Sequence, residues 1–160
     1  MSYKMVQIDP SGKQVQVTQV CDKTIVNDGY DILSIMMGNH GAVTMYMEAS
    51  NATGAVVATD HWCGANAGAG TAGAMNTRGF NVAATTYGHT NGTSTFTLTG
   101  ATWTVSGGSS QTVATVCIQG ANSRGASGTD AAQLIDETLL GASQSVNSGN
   151  SVYLVATVTP

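Results

Sequence analysis

Charge is what this chain has least of. Five basic and nine acidic side chains stand among 160 residues, so charged residues make up 9% of the sequence, against about 25% in an ordinary soluble domain. A net charge of -4 provides no field for holding phosphates, which excludes a nucleic-acid binder or an anionic-lipid anchor of the usual basic kind. Proline is nearly absent, at Pro10 and Pro160 only, so no ring interrupts the middle of the chain. No apolar run approaches the length of a membrane helix, and the opening "MSYKMVQIDP" lacks the apolar stretch of a signal peptide. Synthesis in cytoplasm is the expectation. Cys21, Cys63 and Cys117 are an odd, widely spaced set, read as small buried side chains rather than a redox device.

What is abundant is threonine and glycine, 22 and 20 residues. That balance favours β-branched strands joined by permissive turns. Along "KMVQIDPSGKQVQV" an alternating segment meets a "DPSG" turn, after which Val15 and Val17 are expected to resume an apolar face, giving a hairpin. "ILSIMM" and "AVTMYMEAS" flank "GNHG" and predict a second hairpin, with Leu33, Ile35 and Met37 facing one way and Val43, Met45 and Met47 likewise. "AVVATDHW" predicts a further strand. "QTVATVCIQG" places Ala114, Val116 and Ile118 on one side, and "SVYLVATVTP" turns Val152, Leu154, Ala156 and Val158 inward.

Within "TFTLTGATWTV" the apolar phase changes, from even-numbered Phe96 and Leu98 to odd-numbered Trp103 and Val105. Gly100 and Ala101 between them predict a bulge or a tight change of pairing. "DAAQLIDETLL" reads as the chain's one helix, with Asp130 and Gln133 spaced as a capping box and Gly141 closing it. The Gly/Ala-rich stretch at 63–79 reads as a surface loop or arm. The expected architecture is all-β: an antiparallel two-sheet sandwich of jelly-roll-like form, a single domain over 1–160, with one short helix near residues 130–140. A barrel is the alternative.

Chemical motifs are weak. "GAGTAG" at Gly68–Gly73 has GxGxxG spacing, but the polar "AMNTRGFN" that follows cannot build the helix a dinucleotide site needs. In "DHWC", Asp60, His61 and Cys63 are the densest reactive group, yet an extended strand sends His61 and Cys63 to one face and Asp60 to the other. His40 and His89 sit in turns without metal-ligand spacing. Asp136 and Glu137, neighbours on the expected helix, would diverge. No cofactor or metal centre is read, and the chain is expected not to be an enzyme. Tyr30, Tyr46, Tyr87, Trp62 and Trp103 would make a glycan-binding surface if several converged.

From Phe96 to Thr159, and above all in "WTVSGGSSQTVATVCIQGANSRGASGT" and "SQSVNSGNSVYLVATVTP", the chain resembles the carboxyl-terminal β region of small accessory virion proteins of tailed bacteriophages. The resemblance covers about the last 40% of the chain. Asn150 stands where that group commonly has an acid in the turn before the last strand, which leaves the turn intact and removes any contact the acid makes. What the resemblance implies is a capsid decoration or cement protein in the virion, bound noncovalently to the major capsid protein and to neighbouring copies of itself. A tail-associated attachment module or glycan binder is the alternative. No direct nucleic-acid or membrane contact is expected. The expected capsid contacts are Met1, Tyr3 and Met5 at the amino end and Gly68, Gly70, Met75 and Arg78 in the Gly/Ala segment.

Overall fold

The computed structural model describes residues 1–21, 44–60, 63–64, 86–105, 108–121 and 133–159. Nine strands occupy these residues, and no helix occurs among them. They are β1 (Ser2–Ile8), β2 (Gln14–Cys21), β3 (Thr44–Ser50), β4 (Thr86–His89), β5 (Phe96–Thr99), β6 (Trp103–Thr104), β7 (Gln111–Ala121), β8 (Gln133–Val146) and β9 (Ser151–Val158). Two antiparallel sheets form a sandwich-like fold. The larger runs β2-β1-β9-β5-β4, with β6 also paired to β9; the smaller runs β3-β7-β8.

The first hairpin forms where the turn chemistry places it. Asp9 Oδ1 accepts hydrogen bonds from the Ser11 amide at 2.9 Å, the Ser11 hydroxyl at 2.6 Å and the Lys13 amide at 3.0 Å. Gly12 takes the left-handed conformation, φ 87°, that the tight return demands. The facing of β2 differs from expectation. Val15 and Val17 point away from the core, 49% and 41% exposed, because Val17 pairs with Val6 on the outer face of β1. The partly buried side of β2 is Gln16, Thr18 and Val20.

The phase change after Leu98 is a bulge against a shared partner. Thr99 opposes Val155 and Trp103 opposes Val152, four steps on one strand against three on the other. Gly100 absorbs the extra residue, donating its amide to the Leu154 carbonyl at 2.9 Å. Leu98, Trp103 and Val105 are thereby all buried. They join Tyr3, Met5 and Leu154 of the larger sheet against Met47, Val116 and Ile118 of the smaller one, with Phe96 packed at the margin.

The helix expected near 130–140 is corrected: residues 133–146 form β8, the partner of β7. Its apolar residues do not alternate because both of its faces are covered through residue 138 and because it bulges. Ile118 opposes Asp136 whereas Gln119 opposes Leu134, so Ile135 is an inserted residue, and tertiary pairing overrides local helix preference. β7 is likewise buried on both sides from Val113 to Gly120, not only at Ala114, Val116 and Ile118. Residues 55–60, expected in a strand, form none. The expected strand at 33–37 and the 65–79 part of the Gly/Ala segment lie outside the described residues; β3 pairs with β7.

Candidate functional site

The outer face of the smaller sheet is polar and yet buried. In one row across it, Glu48 on β3, Cys117 on β7 and Glu137 on β8 stand directly opposite one another, so their side chains share that face. Glu48 is 1% exposed and Glu137 3%. Part of the covering is chain that follows β3. Ser50 Oγ accepts from the Ala52 amide at 3.0 Å, and the Thr115 hydroxyl donates to the Ala52 carbonyl at 2.6 Å. Farther along, Cys63 is disulfide-bonded to Cys117, and the Gly64 amide donates to Glu137 Oε1 at 2.7 Å. Cys63, Cys117 and Leu134 form a small apolar cluster there. The donor atoms of Cys63, Cys117 and Glu137 all lie within 4.8 Å of one another.

Cys63 and Cys117 are buried, as read from sequence, but they are bonded to each other, and Cys21 is exposed at the end of β2. The Cys63 sulfur is thus committed to that bond. Asp60 closes a local turn, its Oδ2 accepting from the Val57 amide at 2.8 Å. His61 and His40 lie outside the described residues, as does the glycine run at 68–73. The row of Glu48, Cys117 and Glu137 was not legible in the sequence, since it needs the β3-β7-β8 register. The adjacent pair Asp136-Glu137 was the one available signal. In a strand those two side chains part, Glu137 to the outer face and Asp136 to the core, where it accepts a hydrogen bond from the Tyr3 hydroxyl.

Of the residues expected to touch a capsid, Tyr3 and Met5 are each 1% exposed within the core between the sheets. Met1 is half-buried and packs against that core. Gly68, Gly70, Met75 and Arg78 lie outside the described residues. Two exposed valines, Val15 and Val17, lie instead at the β2 edge of the larger sheet. The outer-face row that starts at Val17 runs through Val6, which is buried, to half-buried Tyr153, and the next holds Gln19, Lys4, Val155 and Thr99. Thr97 faces Thr157 beyond them. Lys4 is the one charged side chain in these rows.

At the far edge, β4 and β5 form a hairpin that carries an aromatic group. Tyr87 is 62% exposed, with its ring centroid 5.6 Å from Phe96 and 6.4 Å from His89. An open groove of about 570 Å³ beside it is lined by His89, Phe96 and threonines 90, 93, 95 and 97. His89 Nδ1 lies 3.1 Å from the Thr95 carbonyl. Trp103 is in the core and Tyr46 is half-buried on β3, so neither joins this cluster; Tyr30 and Trp62 lie outside the described residues. Comparison with known proteins finds no family model, no curated protein and no solved structure that matches this chain.

Proposed function

We propose that the protein is a noncovalent attachment module of an assembled particle, a capsid decoration or cement protein of the bacteriophage kind that its residues 96–159 resemble. The observation that carries this reading is the pair of exposed valines on β2, Val15 and Val17, beside half-buried Tyr153, Val155, Thr97, Thr99 and Thr157 with Lys4 as the one charge in those rows. Covering exposed valines removes apolar surface from water at about 25 cal/mol per Å², and hydroxyls add hydrogen bonds of about 0.5–1.5 kcal/mol net each. Neither term needs long charged side chains to be held in place. Among the described residues β2 is also an edge strand, without a charge along "QVQVTQVC", which leaves it without one of the usual guards against pairing with another chain.

On this reading the partners are the major capsid protein and neighbouring copies of the chain, with tail proteins as the alternative site of attachment. The location is the virion, after synthesis in the host cytoplasm. Binding across subunit boundaries would favour the closed shell by mass action. Residues 68–78 and Met1 enter as further contacts. The strand order, with the first and last described strands adjacent as β1 and β9, suits a jelly-roll wrapping.

The test is retention on purified particles. The protein should copurify with them and stay bound in about 1 M salt, where charge pairs are screened within about 3 Å. Val17→Asp should release it while leaving its fold intact. Particles that lack the chain while it accumulates free in the lysate would remove the proposal. The exposed Tyr87 beside a threonine-lined groove favours a second reading, glycan binding at the β4–β5 hairpin. A glycan array showing selective binding that Tyr87→Ala abolishes would replace attachment to capsid with attachment to carbohydrate.

A further inference from the structure

We infer that the Cys63–Cys117–Glu137 cluster is a redox-gated metal site: once its disulfide is reduced, it takes a zinc-like divalent ion in place of the bond. Two sulfurs and a carboxylate oxygen within 4.8 Å of one another form the one such group among the described residues. Tetrahedral zinc, with bonds of about 2.3 Å to sulfur and 2.0–2.2 Å to oxygen, sets its ligand atoms about 3.5–3.8 Å apart. On reduction the two sulfurs must part from bonding distance, about 2.0 Å, to about 3.8 Å, while the Glu137 oxygen, already within 4.8 Å of both, closes in.

A disulfide needs no carboxylate beside it. Glu137 nevertheless sits 3% exposed with a carboxylate oxygen within 4.8 Å of both sulfurs, where it would add an oxygen ligand to two thiolates. The Gly64 amide that donates to its Oε1 at 2.7 Å holds the carboxyl in place, as outer partners do for metal ligands. Gln119 and Leu134, the next pair along the outer face, are both buried. A metal held here would sit away from bulk water, as structural zinc does.

The chemistry balances in two steps. A dithiol reductant passes two electrons and two protons to the Cys63–Cys117 bond, giving two thiols and becoming a disulfide itself. The metal ion then displaces the two thiol protons, leaving two thiolates and one carboxylate around a 2+ charge. Either state pins residues 63–64 to β7 and β8. The bond serves where thiols are oxidised and the ion where they are kept reduced.

The experiment uses the full chain carrying Cys21→Ser, which removes the one other thiol. It is reduced with a phosphine, freed of reductant without oxygen, and titrated with Co²⁺. One equivalent should bind with thiolate charge-transfer and tetrahedral ligand-field absorption, Zn²⁺ should displace it, and the oxidised chain should take none. Glu137→Gln should weaken binding about tenfold or more while leaving the oxidised protein folded. A reduced chain that takes no cobalt, or Glu137→Gln that binds as tightly as its parent, overturns the inference. If reduction unfolds the chain, recovery of its far-ultraviolet dichroism on adding Zn²⁺ supports the site, and failure to recover overturns it.

Discussion

Tyr3 on β1 donates its hydroxyl to the carboxylate of Asp136 on β8, joining the two sheets through the core across 133 positions of sequence. Both residues are 1% exposed, so the bond replaces hydration that neither group can recover. Leaving a buried hydrogen-bonding group without its partner costs about 1–3 kcal/mol. Tyr3→Phe should therefore lower the unfolding free energy by about that amount in urea titration. Asp136→Asn in the Tyr3→Phe background should cost less than it does alone, since coupled neighbours do not add.

Gly100 faces the opposite sheet at close range. A Cβ there would meet Met47 Cβ at 3.0 Å and Met47 Sδ at 3.1 Å, and Met47 is fully buried. Its Cβ is fixed to the β3 backbone and cannot swing away. Gly100→Ala should cost about 1–3 kcal/mol from overpacking. Gly141→Ala, whose new methyl meets nothing within 4 Å, should stay within about 0.5 kcal/mol of the parent. Equal midpoints for the two variants in thermal unfolding would show that the sheets do not meet at Gly100.

The same glycine marks how far the sequence could be read. The shift of apolar phase between Leu98 and Trp103 announced a bulge, because a period of two cannot change parity otherwise. The hairpin at Asp9–Lys13 and the inward residues of β9 were legible for similar local reasons. β8 was not. A strand covered on both faces loses its alternation, so Leu134 and Ile135 beside Leu139 and Leu140 matched a helix as well as a strand. Val15 and Val17 failed in another way, since alternation shows that two faces exist without saying which one meets the core. The row of Glu48, Cys117 and Glu137 depends on register among three strands distant in sequence, which no local pattern carries.

The Cys63–Cys117 bond closes a loop with a sequence separation of 54. The chain-entropy account assigns such a loop about 4 kcal/mol, within the observed range of roughly 0–5. Reduced, metal-free protein should unfold at a lower urea concentration, by an amount equal to about 2–4 kcal/mol. Cys63→Ser with Cys117→Ser should behave like the reduced parent. A midpoint unchanged by reduction would mean that the bond does not constrain the unfolded chain.

Asp9 makes the first hairpin sensitive to acid. Hydrogen bonds from the Ser11 hydroxyl and the Lys13 and Ser11 amides favour its ionised form and hold its carboxyl below the usual value of 3.8. A carboxyl depressed in the folded state stabilises that state above the unfolded pKa and loses the contribution as pH falls through the folded one. The hairpin should thus be at full strength at neutral pH and weaken below about pH 4. Asp9→Ala should remove that part of the acid dependence and leave the rest. Carbon-detected titration should place the Asp9 midpoint below 3.8; a midpoint at or above that value would show that the three donors do not converge on its carboxylate in solution.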